Sequence, residues 1–376
     1  FECGLPTAMW LEAQRQEVAD HTDRRCPKRR QGLSVGEYLT VAAVNRAVAP
    51  VSKRAMWDWF AQTTLRRLLP RADAAALASQ RFWDHMAAIP EATAAALWTD
   101  IITGALARER LDLSRLCYDG TNFYTFINTF NVRCHLARRG RNKQGRSNLR
   151  QISYALFCSR DGQVPVYYDL YEGNTNDAKQ FPVMIERFGQ FLRQLPGKPG
   201  GPAAPDVTVV FDKGNNSAAN VARVDAQQLH FVGSVKLEEH RDLAALSTRD
   251  PRMAACRRPR LAGFRAFATT KKVYGQARQV VVTFNQELFN TQLQTVHADL
   301  DKALAGLAEI RQRLTDRAQG LLTGGRAPTP ESLRHQCAEL LRRPFLAELI
   351  PVQIGPAPSL EYQVDNGRLE ALADTV

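Results

Sequence analysis

At 376 residues, 44% hydrophobic and 23% charged, the chain has the make-up of a folded protein of two or three domains, not of a disordered or fibrous one. A formal charge of +12 points to a polyanionic partner, nucleic acid before membrane, because no basic amphipathic helix with a Trp/Phe face stands out. The seven cysteines, an odd number without a C-x-x-C pair, exclude a disulfide framework and zinc-type spacing. No apolar run reaches membrane-spanning length and no signal peptide is visible, so a reducing cytoplasm is the expected setting.

Residues 1–112 read as helical. A basic stretch at 24–30 precedes the first clear helix, Val35–Val48, and a second is expected over 53–69, with Pro50 between them and Ser52 as its N-cap. Two more are expected at 74–86 and 91–110. The first pair suits either a helix-turn-helix DNA reader or a small bundle. From 113 the period changes to two. Strands are expected at 113–119, 151–157 and 164–171, the last two joined by a hairpin turn at Ser159-Arg160-Asp161-Gly162. A helix near Pro182 running to 195, a Pro/Gly-rich break at 196–205, a strand 207–212, a helix 218–228 and a strand 230–235 follow. The order β-β-β-α-β-α-β resembles the ribonuclease-H-like arrangement. Beyond 236, strands at 263–269 and 279–284 precede a long helix, 286–321. Its Leu293, Val296, Leu300, Ala303, Leu307, Ile310 and Leu314 form a heptad seam that suits a dimer coil or, preferably, an internal hairpin with a helix at 330–349.

Two segments carry chemistry. Each is a strand ending in an aspartate at its expected C-terminal lip, where α/β folds place their reactive groups: Asp119, before Gly120-Thr121-Asn122, and Asp212, before Lys213-Gly214-Asn215-Asn216-Ser217. Either alone reads as a turn or capping residue. On the first and fourth strands of the order above, adjacent in such sheets, they read as a pair of carboxylates for divalent metal. Arg133, Arg138, Arg139, Arg141, Lys143, Arg146 and Arg150 follow the first strand as a basic, glycine-interleaved loop suited to DNA phosphates, and Lys213 follows the second aspartate.

The blocks Tyr118-Asp119-Gly120-Thr121-Asn122-Phe123, Gly173-Asn174-Thr175 with Asp177, and Phe211-Asp212-Lys213-Gly214-Asn215-Asn216-Ser217 resemble those of DDE transposases of bacterial insertion sequences, in particular the large fourth insertion-sequence family. The stretch Pro27 to Tyr38 is similar too. Gly120 departs from a common Ser or Thr, which a turn tolerates. The resemblance implies an α/β ribonuclease-H-like mixed-sheet core at 113–236, an N-terminal helical, DNA-binding region at 1–112, and an α+β insertion domain at 237–376. It implies Asp119 and Asp212 as catalytic metal ligands for Mg²⁺ or Mn²⁺. It also implies cleavage and strand transfer of transposon ends, with double-stranded terminal repeats and target DNA as partners, a homodimer in the synaptic complex, and a nucleoid-associated cytoplasmic protein.

The family's third carboxylate lies in a Tyr-x-x-Arg-x-x-x-Glu-x-x-x-x-x-x-Lys helix, and no such string is present: Tyr362 is followed at +3 by Asp365, and Glu370 is not spaced to suit. With Phe1 rather than Met at the start and Val376 at the end, the expectation is a segment cut before that helix. A haloacid-dehalogenase phosphatase is excluded by Cys117, which stands where that motif needs its aspartyl nucleophile. A ribonuclease-H-like nuclease or resolvase, and a non-catalytic DNA-binding fragment, are the other readings.

Overall fold

A computed structural model describes residues 4–26, 32–128, 130–140, 145–146, 148–195, 206–236, 239–244, 246–247, 249–325, 327–356 and 359–373. The chain forms two compact units, Phe1–Ser234 and Val235–Val376. No helix among the described residues is long and apolar enough to cross a membrane.

The first unit opens with helices α1 (Gly4–Arg15), α2 (Val18–Arg25), α3 (Val35–Val48), α4 (Met56–Ala61), α5 (Leu65–Leu68), α6 (Ser79–Ala87) and α7 (Glu91–Glu109). α3 begins where a capping box can form: the Ser34 hydroxyl accepts from Glu37 N, and the Glu37 carboxylate accepts from Ser34 N. Trp10, Leu33, Tyr38, Val41, Phe60 and Leu65 bury their side chains together. The helix expected over 53–69 is broken into a 3₁₀ turn at Lys53–Ala55, α4 and α5. The break falls at Gln62-Thr63-Thr64, where buried Thr63 turns its hydroxyl back to Phe60 O, a local bond that competes with the helix ladder. Ser52 precedes the turn without a side-chain capping bond. The helix expected at 74–86 is shorter, starting at Ser79.

The sheet of this unit contains β1 (Arg115–Thr125), β2 (Arg138–Arg139), β3 (Arg150–Ser159), β4 (Pro165–Glu172), β5 (Thr208–Val210) and β6 (His230–Val232). β3 pairs β1 on one edge and both β2 and β4 on the other, all antiparallel. β5 lies parallel to β1, and β6 parallel to β5. The first and fourth long strands are therefore neighbours, β1 beside β5. Helices α8 (Asp177–Gln194) and α9 (Ala218–Ala226) connect the later strands. One sheet face is filled: Leu116, Tyr118, Phe157, Val209 and Phe211 pack with Phe181, Met184, Ile185 and Phe188, and the Phe157 and Phe188 rings stack at 4.1 Å.

α8 begins at Asp177, five residues before the expected Pro182, because Asn176 caps it by accepting from Ala178 N. Pro182 then sits in the second turn, where its missing N–H leaves the Ala178 carbonyl without a helical donor. Asn220 Nδ2 supplies that donor at 3.2 Å.

In the second unit β7 (Ala254–Ala255), β8 (Phe264–Val273) and β9 (Gln276–Asn285) form an antiparallel sheet. β8 and β9 turn on Tyr274 and Gly275, both at positive φ (49° and 84°), the two-residue geometry that matches strand twist. After α10 (Arg241–Ala244), the long α11 (Gln286–Ala318) packs Leu300, Ala303, Leu307 and Ile310 against Leu333, Cys337 and Leu341 of α12 (Pro330–Leu340) and its end. The heptad seam is thus filled within the unit. Pro344 ends the expected 330–349 helix early and opens α13 (Pro344–Leu349), followed by the β10 (Val352–Ile354) and β11 (Leu360–Tyr362) pair and α14 (Asn366–Ala373).

Candidate active site

The ladder between β1 and β5 pairs Arg115 with Thr208, Leu116 with Val209 and Cys117 with Val210. Asp119 and Asp212 each lie two residues past the last pair of this ladder. β5 ends at Val210, and Asp212 keeps extended angles beyond it (φ −69°, ψ 158°). Adjacent strands lie about 4.8 Å apart and alternate residues share a face, which puts Asp119 on the face of Cys117. Both aspartates are exposed, whereas Tyr118, Gly120 and Phe211 beside them are buried on the opposite face.

Asp212 stands two residues past β5, which is shorter than the expected 207–212, and caps the 3₁₀ turn Lys213–Asn215. Asp119 does not end its strand: β1 continues to Thr125, paired only with β3. The lip is therefore made by β5 stopping, which leaves one edge of β1 open at Asp119. In each aspartate Oδ1 accepts the next residue's N–H, Gly120 at 2.8 Å and Lys213 at 2.5 Å. Those bonds orient both carboxylates and leave Oδ2 to reach a ligand. Hard oxygen donors in this number suit Mg²⁺ or Mn²⁺, which keep waters and substrate oxygens in their remaining positions. Among the described residues no group of three or more His, Cys, Asp or Glu side chains is placed to hold a metal ion.

The turn after Asp212 is a packed structure. Asn216 Nδ2 donates to the Asp212 carbonyl at 3.1 Å, Asn220 Nδ2 to the Asn215 carbonyl at 2.9 Å, and the Ser217 hydroxyl caps α9 at Asn220 N. A Cβ on Gly233 would come within 2.3 Å of Asn216 Oδ1, so a larger residue there would displace the Asn216 side chain.

Behind Asp119 lies a pair that the spacing of residues does not predict. The Tyr171 hydroxyl donates to Asp177 Oδ1 at 2.8 Å, and both groups press on Gly120, where a Cβ would meet them at 3.3–3.4 Å. Gly120 is therefore a strand residue under a tyrosine–aspartate bond, not a turn glycine. Burial first, then the Asp177 bond, pushes the Tyr171 phenol well above its usual range; burial does the same to Tyr118. Gly173 is equally constrained, since a Cβ there would strike the Gln151 carbonyl. In sequence, the only trace of these contacts is the glycines themselves.

The basic residues divide. Arg133, Arg138, Arg139, Arg146 and Lys213 are exposed, with Arg138 paired to Glu172 at 3.4 Å and Arg146 lying 4.8 Å over the Tyr124 ring. Arg150 differs from the expectation of a phosphate contact: it is buried and donates to the carbonyls of Ala137, Asn131, Cys134 and Asn128 at 2.6–3.2 Å. Arg141, Lys143 and residues 27–30 of the early basic run lie outside the described residues. A cavity of about 740 Å³ lies among α1, α2, α3 and the end of α5, and neither aspartate lines it.

No protein-family model and no curated protein sequence matches the chain. Among solved structures it is similar to the Mos1 transposase paired-end complex with left transposon end, at 11% identity and TM-score 0.22 over 58% of this chain and 64% of that one. It is similar to the piggyBac transposase synaptic complex with hairpin DNA at 13% and 0.28, over 73% of this chain and 51% of that one. The Mos1 mariner paired end complex with Mn gives 14% and 0.22 over 58% and 64%. The matched region thus spans less than two thirds of each of these chains. Its structural neighbours are transposase complexes, at a level of likeness from which nothing about individual residues follows.

Proposed function

We propose that the chain is part of a DDE-type transposase with a ribonuclease-H-like core, which cleaves and joins DNA ends with Asp119 and Asp212 as two of its metal ligands. One observation supports the reading: two exposed carboxylates, each bonded to the next residue's amide, lie two residues past the last pair of the parallel β1–β5 ladder. The motif resemblance supplies the reaction class.

Bound Mg²⁺ or Mn²⁺ would polarise the attacked phosphodiester and lower the pKa of the attacking water. The protein's own part is positioning. The Gly120 and Lys213 amides hold each Oδ1 in place, Asn216 fixes the backbone that carries Asp212, and the Tyr171–Asp177 bond fixes the strand that carries Asp119. Arg138, Arg139, Arg146 and Lys213 would hold DNA phosphates, while Arg150 props the loop that presents them. The N-terminal helices at 1–112 would contribute to binding double-stranded terminal repeats, 237–376 would be the insertion domain, and a homodimer would pair two ends. The third carboxylate is left unassigned.

Asp119→Asn and Asp212→Asn test this in the intact protein. Each is expected to cut Mn²⁺-dependent nicking of a terminal-repeat duplex by at least about 10³-fold, with end binding within about threefold of wild type. Nicking that survives either substitution removes the assignment.

A further inference from the structure

The segment after β1 presents its apolar side chains to water while its backbone is held fast. Phe126, Phe130 and Val132 are 80%, 89% and 90% exposed, and Phe123, at the end of β1, is 56% exposed. Floppiness does not explain this. Asn128 Oδ1 accepts Phe130 N, Asn131 Oδ1 accepts Arg133 N, and the buried Arg150 guanidinium gathers the carbonyls of Asn128, Asn131, Cys134 and Ala137. The buried cation ties four carbonyls of this segment together, and the side chains beside them at Phe130 and Val132 are exposed. Positive charge accompanies the rings: Arg133 and Arg138 are exposed on the same segment, and Arg146 stacks on Tyr124, whose ring meets Phe126 edge-on at 5.8 Å. Phe123 shares the face of Asp119, four residues along the strand, or about 13 Å.

Exposed ring faces among arginines match a partner that offers flat apolar surfaces and negative charge together, namely unpaired nucleotides. We propose that the described residues between Phe123 and Arg138 form a stacking surface for unpaired DNA bases past the far end of the strand that carries Asp119, with Phe126 and Phe130 against bases and Arg133 and Arg138 against phosphates. This rests on the transposase reading for its substrate and adds to it a single-strand contact distinct from the carboxylates.

The test is binding of the intact chain, without metal, to a labelled single-stranded oligonucleotide of about 16 nucleotides and to the same sequence as a blunt duplex. Phe126→Ala with Phe130→Ala is expected to weaken single-strand binding at least about tenfold and duplex binding less than about twofold, while Phe126→Tyr with Phe130→Tyr retains both. The melting temperature is expected to stay unchanged, since both rings are exposed. Unchanged single-strand affinity, or equal loss on both DNAs, overturns the proposal. So does a concentration-dependent dimer that the alanine pair abolishes with single-strand affinity intact, which would make the surface a contact between copies. Duplex binding that persists while the aromatic changes have no effect sinks the stacking surface alone. Aromatic-dependent single-strand binding in a protein whose nicking survives Asp119→Asn sinks the transposase reading alone.

Discussion

Aspartate is a poor strand former, and Asp119 sits in mid-strand between buried Tyr118 and Gly120. Such a residue is tolerated because its side chain points to the open face and its Oδ1 takes the next amide. Tyr118 bears a different cost. Its hydroxyl is buried among Phe157 and Phe181 without a hydrogen-bond partner among the described residues. Removing a buried, unsatisfied hydroxyl relieves a desolvation penalty, so Tyr118→Phe is expected to stabilise the protein by about 1 kcal/mol in urea unfolding. A loss of stability would mean that the hydroxyl has a partner.

Arg150 sets the behaviour of a whole element. Arg150→Met keeps the aliphatic stem and strands the carbonyls that the guanidinium serves; a cost of about 2–3 kcal/mol is expected, with faster proteolysis confined to 126–139. Elements with strong local signals were legible in the sequence. α3 carries its capping box, the β3–β4 hairpin carries Gly162 at positive φ, and the seam of α11 names its own core. Elements governed by competing or distant contacts were not. Thr63 diverts a helix by one hydroxyl, Pro182 is rescued by Asn220 from another helix, and β1 outruns Asp119 because β3 goes on pairing with it. The same division applies to the site. Asp119 was expected to end its strand and does not, Tyr171 and Asp177 act through Gly120, and Arg150 reads as one more cation until its burial is known.

Two properties belong to the whole molecule. Tyr118, Tyr154, Tyr167, Tyr168 and Tyr171 all have phenols pushed upward by burial, Tyr167 to about 12. The unfolded chain releases these protons near pH 10 while the fold retains them. Stability is therefore full below pH 10 and falls as pH rises through the folded values. A lower urea midpoint at pH 11 than at pH 8 is expected, with a smaller drop in Tyr171→Phe. Under the proposed function, duplex binding is expected to weaken linearly in log–log salt plots as lysine and arginine contacts release counterions. Replacing Arg138, Arg139 or Lys213 with alanine is expected to flatten that slope by about one each, and Arg150→Met to change it less.

The proline inside α8 has a mechanical meaning. The acceptor it vacates, Ala178 O, is taken by Asn220, which also grips the turn behind Asp212; one residue back from Ala178, Asp177 holds Tyr171 beneath the strand that carries Asp119. The two acids are thus tied by a truss across the buried side of the sheet, and a push on either strand is transmitted to the other through the first turn of a single helix.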